Sequence, residues 1–200
     1  MHKTSRSNQC GFLINPFRMA PVVSPFGKGF DPSVVSPSGA AARILTNSNR
    51  TLQATATGGG IKGFPATAAT GTKYFEIVFS SLDTSVFAHF GLSTGTLPDV
   101  WTDATSEIVT RQNGQVFANG TVYLGGFGAL LVTDIFGFSY DHTTRSATFF
   151  KNGAGIVAGT LDLAGECRPV VWTAGGSIDI CSIRTKAGEL SYAPAAAWES

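Results

Sequence analysis

Two glycine patterns in the chain have the spacing of catalytic or phosphate-binding loops. Gly91-Leu92-Ser93-Thr94-Gly95 has the G-x-S-x-G form of a nucleophile elbow, and Gly58, Gly60 and Gly63 have the G-x-G-x-x-G form of a nucleotide cradle. Each chemistry needs a helix directly after the turn, either to expose the serine or to aim backbone N–H groups at phosphate. Thr96-Leu97-Pro98 follows the first pattern and Phe64-Pro65 follows the second. A proline there disrupts the required helix, so both patterns read as bends. Glycoside hydrolysis needs two convergent carboxylates. Glu76 is the lone acid of its segment, with none at i+2 or i+4, and reads as the partner of a neighbour or of a loop amide. His2, His89 and His142 lack metal-ligand spacing. Asp134 and Asp141 suit turn capping, with calcium in a lectin-like loop as the alternative. Cys10, Cys167 and Cys181 are odd in number and share no C-x-x-C spacing, which points to free thiols. No enzyme, no metal and no cofactor is expected.

The elements that position these residues are strands. Among 200 residues there are 24 glycines and 15 phenylalanines, and only 14% are charged, which favours strands and turns over helices. A chain of this length buries about two thirds of its surface in one core. Thr72 to Ser80 (TKYFEIVFS) alternates Tyr74, Glu76 and Val78 on one face with Phe75, Ile77 and Phe79 on the other. Val86 to Ser93, Ile108 to Arg111, Gln115 to Phe117, Val122 to Leu124, Ile135 to Tyr140, Ser146 to Lys151, Ile156 to Leu161, Arg168 to Thr173 and Ser177 to Ile183 continue the series. Asn113-Gly114, Asn119-Gly120 and Asn152-Gly153 predict tight hairpins, since both central positions of a type I′ turn need positive φ. Short strands with regular turn signals describe an all-β sandwich.

The first forty residues are different material. Pro16, Pro21, Pro25, Pro32 and Pro37 exclude regular helix and central strand, while Phe12, Leu13, Ile14, Phe17, Met19, Phe26 and Phe30 are too apolar for a solvated linker. An extended arm that docks on its own body or on an assembly is expected, with Phe12, Phe17 and Phe26 as anchors. Residues 1–50 carry six basic side chains against one acid, and the remainder eight against twelve, for a net charge of +1. That balance gives no bulk attraction to nucleic acid or anionic membrane. The polar opening MHKTSRSNQC is unlike a signal peptide, and no segment reaches transmembrane length, so synthesis in a reducing cytoplasm is expected.

Lys73 to Phe79 (KYFEIVF), His89 to Ser93 (HFGLS), Asp134 to Asp141 (DIFGFSYD), Ser146 to Gly153 (SATFFKNG) and Arg168 to Trp172 (RPVVW) resemble, in order, the successive signatures of SPRY domains. The likeness covers about residues 72–184. It departs where Ile180-Cys181-Ser182 replaces a closing Asn-Phe-Gly, and where Val109 to Asn113 only loosely echoes a central Tyr-Gly-Tyr segment. The resemblance implies a bent antiparallel, concanavalin-like β-sandwich that binds proteins through its loops. Leu13 to Ala20 (LINPFRMA) is similar to the starts of bacteriophage structural proteins.

The expected organisation is an arm over 1–41, a sandwich over 42–186 and a tail over 187–200. The expected role is a virion component, in tail, fibre or head surface, contacting other virion proteins, copies of itself, and a host-surface receptor or glycan. A lectin-like carbohydrate-binding module and a cytosolic peptide-binding adaptor are the alternatives. The long connection Thr94 to Glu107 sets Trp101 beside three loop acids, Asp99, Asp103 and Glu107, and offers Asp99, Trp101 and Asp103 as partner-binding residues, with Tyr123 and Phe127 bordering the same end.

Overall fold

Alternation of apolar and polar side chains along Thr72–Ser81 sets the pattern of the whole molecule. In the computed structural model Phe75, Ile77 and Phe79 are buried in the core, while Tyr74 and Glu76 are buried on the opposite face of the same strand. The structure describes residues 28–37, 43–54, 59–66, 69–82, 88–98, 106–111, 113–118, 121–124, 128–160, 166–173, 180–192 and 194–199, with backbone alone at 121–124, 157–160 and 173. Residues 1–27 of the expected arm lie outside them.

Fifteen strands follow one another among the described residues, namely β1 (Phe30–Val35), β2 (Arg43–Thr46), β3 (Thr51–Ala54), β4 (Gly59–Gly63), β5 (Thr72–Ser81), β6 (His89–Ser93), β7 (Glu107–Arg111), β8 (Val116–Ala118), β9 (Thr121–Leu124), β10 (Ile135–Asp141), β11 (Ser146–Lys151), β12 (Ala154–Thr160), β13 (Arg168–Thr173), β14 (Ile180–Arg184) and β15 (Ala196–Ala197). One sheet has the order β1-β4-β13-β6-β7-β8-β9, and the other β12-β11-β10-β5-β14-β3-β2. All pairings along these two paths are antiparallel, and β15 joins β5 in parallel. The expected all-β sandwich is the observed architecture.

Aromatic rings fill the space between the sheets. Phe75 stacks on Phe138 at 5.1 Å between centroids, and Phe138 meets Phe149 edge-on at 4.9 Å. Phe90 from the facing sheet approaches Phe79 at 5.0 Å and Phe136 at 5.2 Å, which knits the two layers together. Offset and edge-to-face contacts of this kind add to the burial of the rings themselves.

The turns separate by loop length. Lys151 pairs with Ala154, leaving Asn152 and Gly153 as a two-residue loop with φ of 52° and 79°, both positive as a type I′ turn requires. At Asn113-Gly114 the expected type I′ turn is replaced. The Arg111 N–H donates to the Gln115 carbonyl at 2.8 Å, so the loop holds one residue more, and only Gly114 of the described loop residues has positive φ. Asn119-Gly120 lies outside the described residues.

The first and last described stretches enter the sandwich further than their composition suggests. Phe30, fully buried in the core, begins β1, an edge strand that carries Pro32 and a register irregularity. Proline is compatible with that place and not with a central one. At the other end Trp198 is fully buried against Phe75, with centroids 5.1 Å apart, and its indole N–H donates to the Phe64 carbonyl at 3.1 Å. Residues 30–35 and 196–199 are therefore parts of the sandwich, outside the 42–186 span expected for it. The Lys28 N–H joins these two stretches by donating to both Glu199 carboxylate oxygens at 3.0 and 3.1 Å.

Candidate functional site

The residues with catalytic spacing are built into the sheets. Ser93 ends β6 fully buried with no helix over the described residues 94–98 that follow, and a carbon side chain at Gly91 would run into the Ile108 carbonyl and stand 2.9 Å from Val109 Cα. The glycine is there because β6 and β7 approach closely, a packing requirement and not an elbow. Glu76 and Glu107 sit on opposite outer faces of the sandwich, since their neighbours Phe75, Ile77 and Ile108 point into the shared core. They cannot converge on one bond.

Glu107 was expected among the exposed acids of the long connection. It is instead the first residue of β7 and is buried, accepting the Trp172 indole N–H at 2.8 Å. Burial pushes its carboxyl up to about 7, against the pull of the Trp172 donor and the Lys62 charge. Lys62 is buried too and donates to the Gly95 carbonyl. Around them Leu97, Val109, Phe117, Val170 and Trp172 form a second apolar cluster on the outside of the seven-stranded sheet. The Arg111 guanidinium lies 4.3 Å from the Phe117 ring centroid and donates to His89 Nε2 at 2.6 Å. His89 is thus a bonded sheet residue. The described part of this face is a closed layer with partnered charges.

On the other outer face Glu76 gathers the C-terminal segment. It accepts the Ser191 N–H at 2.9 Å and the Tyr192 N–H at 2.8 Å, with Arg184 at 3.4 Å and the Tyr74 hydroxyl at 3.3 Å. This is the loop-amide role its isolation on the strand suggested. Burial, followed by the Glu76 charge, raises the Tyr74 phenol well above its usual range.

The described surface breaks its own rule of burying large apolar groups at the turn before β10. Leu131 is 59% exposed and Val132 45%, beside a cavity of about 390 Å³ lined by Leu82, Leu130, Leu131, Val132 and Thr133. The turn is rigid. The Asp134 N–H donates to the Leu131 carbonyl at 2.9 Å, and Asp134 Oδ2 accepts the Leu131 N–H at 2.8 Å. From the β11–β12 hairpin, Asn152 Nδ2 donates to Asp134 Oδ1 at 2.7 Å, Lys151 pairs with Oδ2 at 3.1 Å, and Lys151 Nζ also reaches the Ala129 carbonyl at 2.9 Å. Burial alone would raise the Asp134 carboxyl, but the Leu131 N–H, Asn152 and Lys151 hold it below the usual range. The Lys-Asn-Gly turn is therefore the brace of the neighbouring apolar turn. Asp141 caps its own turn through the N–H groups of Thr143 at 2.7 Å and Thr144 at 2.9 Å. Among the described residues no cluster of His, Cys, Asp or Glu could hold a metal ion.

Of the expected partner-binding residues, Phe12, Phe17, Phe26, Asp99, Trp101, Asp103 and Phe127 lie outside the described residues. Tyr123 lies in β9, where the backbone alone is described. Sequence reasoning missed Leu131 and Val132. Their signal was a Leu-Leu-Val run with no strand alternation, ended by Thr-Asp ahead of a strand start.

Solved SPRY domains share this architecture. The crystal structure of the SPRY domain of human HERC1 superposes with a TM-score of 0.66 at 19% identity, covering 78% of this chain and 97% of that one. A human SPRY domain gives 0.55 at 13% identity over 72% and 94%, and the TRIM65 PSpry domain 0.54 at 14% over 78% and 90%. No protein-family model matches the sequence, and no curated protein matches it. The chain has the fold of a SPRY domain.

Proposed function

We propose that this chain is a non-enzymatic binding protein, held in an assembly by residues 1–27 and presenting the braced Leu131–Val132 turn to a protein partner. The observation that carries this reading is the pairing of exposure with rigidity: two apolar side chains are kept in water by a turn whose geometry Asp134, Lys151 and Asn152 fix. A rigid apolar projection loses little entropy on docking, which makes it a suitable hot spot. The likeness to SPRY domains and the closed outer layer around Glu107 favour binding over chemistry.

For the leading segment, Phe12, Phe17 and Phe26 set between prolines supply apolar anchors on an extended chain. The similarity of Leu13 to Ala20 to the starts of phage structural proteins favours a virion as the assembly, with other virion proteins and copies of this chain as neighbours. Asp99, Trp101, Asp103, Tyr123 and Phe127 then belong to loops available to a second contact.

The test compares co-sedimentation with purified particles for the full chain, a chain lacking residues 1–27, and a Leu131→Asp/Val132→Asp variant. Deletion at residue 27 spares both Lys28 and β1. The reading expects the deleted chain to stay folded and leave the particle, and the double variant to stay folded and lose crosslinks at residues 131 and 132. Retention of the deleted chain in the particle overturns the arm, and unchanged crosslinks overturn the turn.

A further inference from the structure

The corner where β1 and β2 diverge carries a different unmet need. β2 is the outer strand of its sheet among the described residues, and Ile44 on it is 48% exposed. Exposed sheet edges are ordinarily blunted by proline, charge or a bulge. β1 has all three, in Pro32, Asp31 and its register irregularity. β2, reading Arg-Ile-Leu-Thr, has neither proline nor bulge.

Its one charge faces elsewhere. Arg43 lines a cavity of about 310 Å³ together with Pro32, Val35, Leu45, Asn49 and Ile61. Arg43 Nη1 donates to the Gly60 carbonyl at 2.7 Å, while Nη2 is closed off from water and has no acceptor among the described residues. Arg50, Arg168 and Arg184 all pair with carboxylates. The Gly60 carbonyl offsets part of the desolvation of this guanidinium but brings no anion to Nη2, and burial lowers the Arg43 pKa.

We propose that β2 receives an extended peptide segment of a protein partner as an added antiparallel strand, with an apolar side chain entering the cavity beside Leu45 and a carboxylate pairing with Arg43. The outer backbone edge of β2, which no described strand pairs, supplies the ladder, and the cavity beside Arg43 gives its guanidinium room to turn Nη2 onto a carboxylate. Arg43 and Leu45 are two residues apart and share the inward face of β2, so an antiparallel guest presents its apolar residue first and its acid two positions later. The recognised pattern is apolar-x-Glu. The leading segment of a second copy does not fit it, because residues 1–27 carry Lys3, Arg6 and Arg18 and no acid. This surface is separate from the Leu131–Val132 turn, and either can fail without the other.

The test is fluorescence anisotropy of the full chain with a labelled TVTETV peptide, its TVTQTV counterpart, and TVTETV N-methylated at alternate residues. The glutamate peptide is expected to bind about tenfold or more tighter than the glutamine peptide, as one charged hydrogen bond requires. Alternate N-methylation is expected to abolish binding, and Arg43→Gln to erase the glutamate preference. Because the peptide exchanges leave the protein untouched, a poorly folded Arg43→Gln does not rescue or sink the result. Equal binding of the two peptides, indifference to N-methylation, absence of binding at millimolar peptide, or self-association through β2 that TVTETV cannot displace overturns the proposal.

Discussion

Tyr74 lies across Gly137, on the neighbouring strand, to reach Glu76. A carbon side chain built at Gly137 would stand 2.6 Å from two Tyr74 ring carbons and nearer still to its hydroxyl. The ring cannot retreat, because it is fully buried, meets Phe150 edge-on at 5.5 Å and bonds to Glu76 at 3.3 Å. Gly137→Ala is therefore overpacked and should lose about 1–3 kcal/mol. Denaturant titration checks this, and Gly137→Ala combined with Tyr74→Phe should lose less than the sum of the two single changes, since the contacting hydroxyl is gone.

This arrangement shows how much of the fold was legible. The Tyr-x-Glu strand and the Asp-x-x-Gly strand were both visible in the sequence, and the alternation around residues 72–80 assigned the two faces of the first correctly. That the two patterns form one device, with a glycine on one strand making room for a tyrosine on the next, depends on the register Gly137 to Glu76, which no local pattern encodes. Glu107 misled for a related reason. It follows an irregular stretch of acids and reads as exposed, and only the pairing of Ser93 with Glu107 places it inside a sheet. The Leu131–Val132 turn was hidden because apolar runs are read as core, and its exposure is set by a brace from residues 151 and 152.

The C-terminal segment should behave as core. Trp198→Ala removes a fully buried indole that packs on Phe75 and frees the Phe64 carbonyl, for a loss of about 3–5 kcal/mol. Thermal unfolding reads it directly. A tail that merely lay on the surface would give less than about 0.5 kcal/mol.

The brace of the apolar turn can be separated from the turn's backbone shape. Asn152 has φ of 52°, its Oδ1 accepts the Ile135 N–H at 2.9 Å, and its Nδ2 donates to Asp134. Asn152→Gly keeps the conformation and loses both bonds, while Asn152→Ala loses the bonds and adds left-handed strain. Both should cost about 1–3 kcal/mol, with alanine the worse. Hydrogen exchange at the Leu131 and Ile135 amides should speed up in both variants while the core strand β5 stays protected. Unchanged exchange at Leu131 would show that Asn152 does not brace the turn.

Glu107 gives the molecule a pH dependence of definite sign. Its folded-state pKa, about 7, lies above the usual glutamate value of 4.5, so the folded chain holds this proton more tightly than the unfolded chain does. Its contribution to stability is fully present below about 4.5 and is lost as pH rises through about 7. Asp31, Asp134 and Asp141 act in the opposite sense, since their lowered pKa values make them lose stability as pH falls below about 4. The window between pH 5 and pH 8 therefore isolates Glu107 among these carboxyls. Glu107→Gln keeps an oxygen for the Trp172 indole and removes the titration. Measured by denaturant midpoint, the wild type should weaken between pH 5 and pH 8 relative to Glu107→Gln by on the order of 2–3 kcal/mol. A constant difference between the two proteins across that range would mean that Glu107 is ionised in the folded state throughout, and that Lys62 compensates its burial.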